Sequence, residues 1–300
     1  MPAHFFYGIL GSSSALISAF TWALGSILFR KLGEEVSPLG MNLGKNIIGI
    51  LYLGIILLVI GMRPVSSKEF ILLGVSGLLG IALGDTFFFK ALMHLGPRLT
   101  ILLGTLGPAI TVILAIIFLK ERPSLLAWLG ILLVLIGITW ILWKRFPKER
   151  VEKNSLSGIK YLLLSVLCTS IGIIFAKIGV TSISALQALL IRFLGAAIGL
   201  ALYGCTTRQL KNWLIPFKEP RLLKFILFTV FIVVFGGFWL FLVSLKYIDA
   251  SIATILNSTT PLFILPLAVF VLKEKISIFE IIGATVAVGG IILIFIGYPI

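Results

Sequence analysis

Three charged residues fall where an apolar environment makes charge expensive. Asp85 lies inside the apolar run 70–93, more than two helical turns from its end, and is the carboxylate placed deepest among apolar neighbours. Lys45 lies inside the run 39–60, with Asn42 and Asn46 beside it at helical spacing. Arg192 lies inside the run 183–203. Ionisable groups in an apolar medium are costly, so each needs a partner or a task. A carboxylate and an ammonium on neighbouring helices can pair in one state and exchange that partner for a bound molecule or a proton in another. A permanent salt bridge locking the two helices is the alternative for Asp85 and Lys45. Arg192 is suited to hold a carboxylate or another anion, or to extend its head toward a polar boundary.

Pro108 and Pro261 each sit inside an apolar run. Proline there removes a backbone hydrogen bond and clashes with the preceding turn, so a kink or local unwinding is expected at both. Carbonyls freed in this way could line a site together with Thr100 and Thr105 ahead of Pro108, and Asn257, Ser258, Thr259 and Thr260 ahead of Pro261. A plain packing kink is the other outcome. Phe88 and Trp239, with Trp22 and Phe241, offer aromatic surface to flat or apolar groups or serve as packing. Trp128, Trp140, Trp143 and Trp213 lie nearer the ends of runs, where interfacial belts form. The candidate binding residues are therefore Asn42, Lys45, Asn46, Asp85, Phe88, Thr105, Arg192, Trp239, Asn257 and Ser258, with Pro108 and Pro261 as kink positions.

These residues have to be held by elements, and composition dictates which. Of 300 residues, 59% are hydrophobic and 12% charged, against roughly 45–50% and 25% in a soluble domain. The solvent for most of the chain must be lipid. A membrane span takes about 20 mainly apolar residues at about 1.5 Å rise each. Ten such runs can be laid out: 8–29, 39–60, 70–93, 99–119, 125–143, 156–176, 183–203, 222–245, 251–272 and 278–297. The expected class is all-α, a polytopic membrane protein with ten transmembrane helices. The longest connections, 144–155 and 204–221, leave no room for a soluble domain.

Several chemistries find no footing here. A net charge of +14 would raise nucleic acid as a partner in a soluble chain, but the basic residues punctuate apolar runs, as membrane orientation requires. No nucleic-acid partner, metal or cofactor is expected. His4 and His94 are the only histidines, Cys168 and Cys205 form no pairing pattern, and phosphate-cradling loops are missing. The start, Met1 to Tyr7, lacks the basic region of a signal peptide, so the first run is expected to stay as a span.

The runs repeat. At an ungapped shift of 153, residues 84–142 align with 237–295, matching Gly84 to Gly237, Phe88 to Phe241, Pro108 to Pro261, Gly130 to Gly283 and Gly137 to Gly290. The turn Leu119-Lys120-Glu121 matches Leu272-Lys273-Glu274. At a shift of 146, Phe29, Lys31, Gly33 and Gly49 match Phe175, Lys177, Gly179 and Gly195. Each half thus carries five spans. Five is odd, so the second copy enters the membrane from the opposite face and the halves form an inverted pair. Secondary transporters build alternating access from such pairs, with the binding site at the repeat interface. A duplicated structural bundle is the plainer alternative. Gly77, Gly80 and Gly84, with Gly195 and Gly199, form small-residue faces for close packing. The most uniformly apolar spans, the fifth and tenth, could meet a second copy in a homodimer.

Lys and Arg divide unevenly between the two faces. One collects Arg30, Lys31, Arg98, the linker 144–153, Arg208 to Lys224, Lys273 and Lys275; the other holds Arg63, Lys68, Lys120, Arg122, Lys177 and Lys246. The positive-inside rule makes the richer face cytoplasmic and puts both termini outside.

Gly84-Asp85-x-x-Phe88-Phe89-x-Ala91-Leu92, then Leu95-Gly96, Pro108 and Leu119-Lys120-Glu121-Arg122, resembles the EamA-type transporters of the drug/metabolite transporter superfamily. Gly237 through Pro261 to Lys273-Glu274-Lys275 fits the same pattern, as does Arg192-Phe193. The resemblance covers essentially the whole chain, as two EamA-like repeats, 1–148 and 149–300. It implies a secondary transporter, often an exporter, of amino acids, related metabolites or amphipathic compounds, with a central cavity between the halves. It also implies termini in the cytoplasm, opposite to the charge count.

The expectation is an integral protein of a prokaryotic cell membrane that moves a small-molecule substrate by alternating access, with proton coupling open through Asp85. It is not expected to be an enzyme. An intramembrane enzyme acting on lipid-linked groups and a passive metabolite channel are the rival classes.

Overall fold

The structure is a computed structural model of the chain and describes residues 3–88, 90–91, 94–95, 104, 106–145, 155–263 and 277–297. Every regular element among them is helical. Seven helices are long and apolar enough to cross a membrane, and shorter apolar helices occupy Leu106–Leu119 and Leu125–Ile141. Thr105, like Thr100, lies outside the described residues, as do residues 99–103 of the expected fourth span and 264–272 of the ninth.

In chain order the helices are α1 (Ala3–Leu32), α2 (Pro38–Ile60), α3 (Ser67–Phe88), α4 (Leu106–Leu119), α5 (Leu125–Arg145), α6 (Ser155–Val180), α7 (Ala185–Thr206), α8 (Pro220–Tyr247), α9 (Ala250–Asn257) and α10 (Ile278–Gly297). Short polar signals start several of them. Ser37 accepts the Gly40 N–H with Pro38 in the first turn, Ser66 and Glu69 form a reciprocal capping box, and Ser184 accepts the Gln187 N–H. Each satisfies an amide that has no intrahelical acceptor. Large apolar side chains such as Leu58, Val59, Leu125, Phe118 and Ile296 remain exposed along the outer faces. In water such a surface would drive association; in lipid it is the expected exterior.

The connection 204–221 is structured rather than open. A one-turn helix, Leu210–Leu214, and a 3-10 turn, Ile215–Lys218, fold against the bundle. Trp213 is therefore only 4% exposed and stacks on Tyr203, a correction to its expected place in an interfacial belt. Trp128, Trp140 and Trp143 do stay exposed.

Helices from the earlier and later parts of the chain pack on one another: α3 and α4 on α6, and α8 and α9 on α1. The equivalent helices α5 and α10 pack on each other, and each also keeps large apolar side chains exposed, among them Leu132, Ile136, Ile292 and Ile296. A methyl added at Gly130 would lie 2.6 Å from the Gly290 carbonyl oxygen, and one at Gly137 would lie 2.5 Å from that of Gly283. Glycine is thus needed for this approach. The contacts run in opposite senses along the two helices, so α5 and α10 are antiparallel. Because Gly130 aligns with Gly283 and Gly137 with Gly290, the contact is also reciprocal.

Two further features repeat. Both α3 and α8 contain a π-helical stretch, Gly77–Leu83 and Val233–Trp239, which overlap when the repeats are aligned. A wider turn leaves carbonyls short of amide partners and is frequent at functional sites. The Ser165 hydroxyl donates to Gly84 O at 2.8 Å and the Ser18 hydroxyl donates to Gly237 O at 2.8 Å, each bond joining the halves.

Candidate functional site

The buried polar stretch of α2 builds the centre of the site. Asn42, Lys45 and Asn46 are all buried. Lys45 Nζ lies 3.2 Å from Asp85 Oδ2; the lysine side chain is 6% exposed and the aspartate 35%. The ammonium also sits 4.8 Å from the centroid of the Phe238 ring, within cation–π range. Phe238 occupies the position of the second repeat that aligns with Asp85. Lys45 therefore bridges a carboxylate of α3 and its aromatic counterpart on α8. That the repeats align here is the one sequence signal that points to Phe238, which reasoning from charge alone passes over.

The asparagines brace this pair. Asn42 Nδ2 donates to Ile81 O at 3.0 Å, supplying a donor to a carbonyl in the π-helical stretch of α3. Asn46 Nδ2 donates to Asn42 O at 2.7 Å, while Asn46 Oδ1 is buried with no partner. Phe217, from the structured 204–221 connection, seats its ring against Gly44, where a methyl would meet it at 2.5 Å.

Arg192 enters from the other half. It is 5% exposed, and its Nε is buried with no hydrogen-bond partner. Its backbone carbonyl packs so closely on Gly77 that no side chain fits there, and its Nη2 lies 3.7 Å from where a methyl at Gly80 would sit. The guanidinium and the Asp85 carboxylate feel each other's charge. Asp85 takes Lys45 as its ion-pair partner, and Arg192 forms no ion pair among the described residues, so an additional anion would complete the cluster.

The remaining expected residues divide between two cavities. Phe88, Pro108, Asn257 and Ser258 line one of about 450 Å³ between α4, α6 and α9, together with Thr111, Ser165, Thr169, Ser170 and Thr254. Asn257 Oδ1 and Thr254 Oγ1 are buried there without partners. The α6 hydroxyls were not singled out in the sequence because serine and threonine are common in spans and satisfy themselves locally. Ahead of Pro261, α9 is interrupted at Ser258 and Thr259. Asn257 O, four residues before the proline, accepts the Thr260 hydroxyl at 3.0 Å in place of an amide. Trp239 lines a different cavity, of about 770 Å³, at the face where α2 ends and α7 begins. Among the described residues no group of histidine, cysteine or carboxylate side chains is arranged to hold a metal.

Residues 9–143 and 156–296 each match the profile of the EamA-like transporter family. The chain belongs to this family. An uncharacterized transporter of Archaeoglobus fulgidus is 23% identical over 290 residues, 93% of this chain and 96% of that one. An uncharacterized protein of Methanocaldococcus jannaschii is 32% identical over 123 residues, 41% of this chain and 89% of that one. The uncharacterized inner membrane transporter YhbE of Escherichia coli is 32% identical over 104 residues; this match spans about a third of each chain, 35% and 32%. A solved crystal structure aligns with a TM-score of 0.74 at 18% identity, covering 95% of both chains, and shows a shared fold. This EamA-family chain is an integral membrane protein, and its kinship is with transporters rather than enzymes.

Proposed function

We propose that this EamA-family protein is a secondary transporter of small organic metabolites, amino acids or related amphipathic compounds, working by alternating access in the direction of export. Ten spans form two inverted five-helix repeats, 1–148 and 149–300. The reciprocal antiparallel contact of α5 and α10, the paired serine bonds to Gly84 and Gly237, and the matched π-helical stretches support that arrangement.

The observation that carries the reading is the Lys45–Asp85 ion pair with Arg192 left short of a partner, set where the two halves meet. In the state described, Asp85 is held by Lys45. Substrate carboxylate arriving between Lys45 and Arg192 would displace Asp85, which then takes a proton or a substrate amine. Rocking of one half against the other would turn on the π-helical stretches of α3 and α8, whose unmatched carbonyls already depend on donors from other helices.

The test is reconstitution in liposomes with labelled amino acids and other metabolites, with and without an imposed proton gradient. Gradient-dependent accumulation is expected for at least one class, and Asp85→Asn is expected to abolish its dependence on pH. Flux that never exceeds equilibration would indicate a channel instead, and unchanged pH dependence in Asp85→Asn would end the coupling role.

A further inference from the structure

The cavity that Trp239 lines is built unlike the central cluster. It measures about 770 Å³, within the range of small-molecule sites. Two cations, Arg63 and Lys246, stand in its wall, and no carboxylate does. They feel each other as like charges, and neither forms an ion pair among the described residues. A cleft lined by cations with no carboxylate among them carries a positive potential that gathers anions.

Backbone geometry adds to the same sign. The first turn of α7, from Ser184 through Gln187, forms part of the wall. Ser184 Oγ accepts the Gln187 N–H at 3.2 Å, and Gln187 Nε2 donates to Arg63 O at 2.9 Å, fixing the Arg63 backbone beside the helix start. The amides of Ala185 and Leu186 have no intrahelical acceptors and lie at the positive end of a 22-residue helix. Lys246 Nζ is aimed by a 2.6 Å bond to Ile183 O, which leaves two further N–H directions. The rest of the wall is apolar or aromatic, with Trp239 and Tyr247 prominent, and Tyr247 is stiffened by stacking on Tyr7 at 4.9 Å.

We propose that this cavity is a binding site for small organic anions, a carboxylate on an aromatic or apolar body, and serves as the antechamber to the central cluster. Arg63, Lys246 and the start of α7 take the carboxylate; Trp239 and Tyr247 take the body. Arg192 lies seven residues, about 10 Å, further along the same α7, so one helix carries the anion from the mouth toward the middle. The role as antechamber rests on the transport reading above, whereas the binding itself does not.

The experiment is calorimetric titration of the full chain in lipid nanodiscs with phenylacetate and with its uncharged counterpart phenylacetamide. Phenylacetate is expected to bind at least tenfold more tightly than the amide at neutral pH. Arg63→Gln is expected to weaken the acid five- to tenfold and to leave the amide unchanged. The Arg63 side chain makes no hydrogen bond among the described residues, so this variant keeps the fold; Lys246→Gln loses the bond to Ile183 and serves only as the second arm. Equal affinity for acid and amide, no acid binding, or an unaffected Arg63→Gln variant would overturn the site. Flux of the same pair in liposomes separates the two readings. Binding without flux leaves the site standing and removes transport, and flux of other metabolites without acid binding does the reverse.

Discussion

Glu121 holds Ser251 twice through one carboxylate oxygen: Oε2 accepts the Ser251 backbone N–H at 3.0 Å and the Ser251 hydroxyl at 2.6 Å. Its Oε1 accepts the Ala250 N–H at 2.6 Å. A turn residue of the first half thereby caps α9 of the second, meeting buried amides at a positive helix end. Glu121→Ala leaves those donors unpaired. At about 1.5–3 kcal/mol for a charge-assisted bond, a loss of about 3 kcal/mol is expected, with Glu121→Gln retaining part of it. Thermal unfolding of the detergent-solubilised protein checks this, and an unshifted midpoint for Glu121→Ala would deny the cap any weight.

The Lys45–Asp85 pair predicts an asymmetry between breaking and replacing. Asp85→Ala takes both the counter-charge and the hydrogen-bond acceptor from the buried Lys45 ammonium, at a cost on the order of 3–5 kcal/mol, so poor yield and aggregation are expected. The double variant Lys45→Met, Asp85→Asn removes the unpaired ammonium and is expected to recover a monodisperse protein that transports nothing. Size-exclusion profiles with liposome flux read both halves of the prediction. Full flux from the double variant would show the pair to be a structural lock.

Close approach of α5 and α10 makes Gly137 intolerant of size. Gly137→Leu drives a side chain into the Gly283 carbonyl and Ala287, and overpacking of this kind costs about 1–3 kcal/mol or more. Gly289, on the same helix pair, has nothing within 4 Å of an added methyl. Gly289→Ala is accordingly expected to leave the melting midpoint unchanged while Gly137→Leu lowers it, and equal effects from the two would contradict the packing described.

Asp249 gives a pH dependence of definite sign. Burial lifts its carboxyl above the usual carboxylate range and the neighbouring Glu121 adds to this, while Lys177 opposes it in part. A folded-state value above the unfolded one means that the native state binds the proton more tightly. The stability linked to Asp249 is thus fully present below the unfolded carboxylate value and is lost as pH rises through the raised folded value. Asp249→Asn is expected to flatten the fall in melting temperature across the mildly acidic range and to be at least as stable as the parent at neutral pH. Parallel pH profiles for parent and variant would refute the assignment.

Much of this protein was legible before any coordinates. Apolar content demanded lipid, run length and period demanded helices, and the cost of burying charge singled out Lys45, Asp85 and Arg192. These are local or additive quantities, so a one-dimensional reading reaches them. Tertiary structure alone decided which helices meet. It put Phe238 over Lys45, Glu121 on the start of α9, Trp213 inside rather than in a belt, and α5 against α10. It also divided the expected binding residues, sending Phe88, Asn257 and Ser258 to one cavity and Trp239 to another. The reason is physical: a helix's own period fixes which face is polar, whereas its partner, register and crossing follow from packing between residues far apart in the chain, which no local pattern encodes.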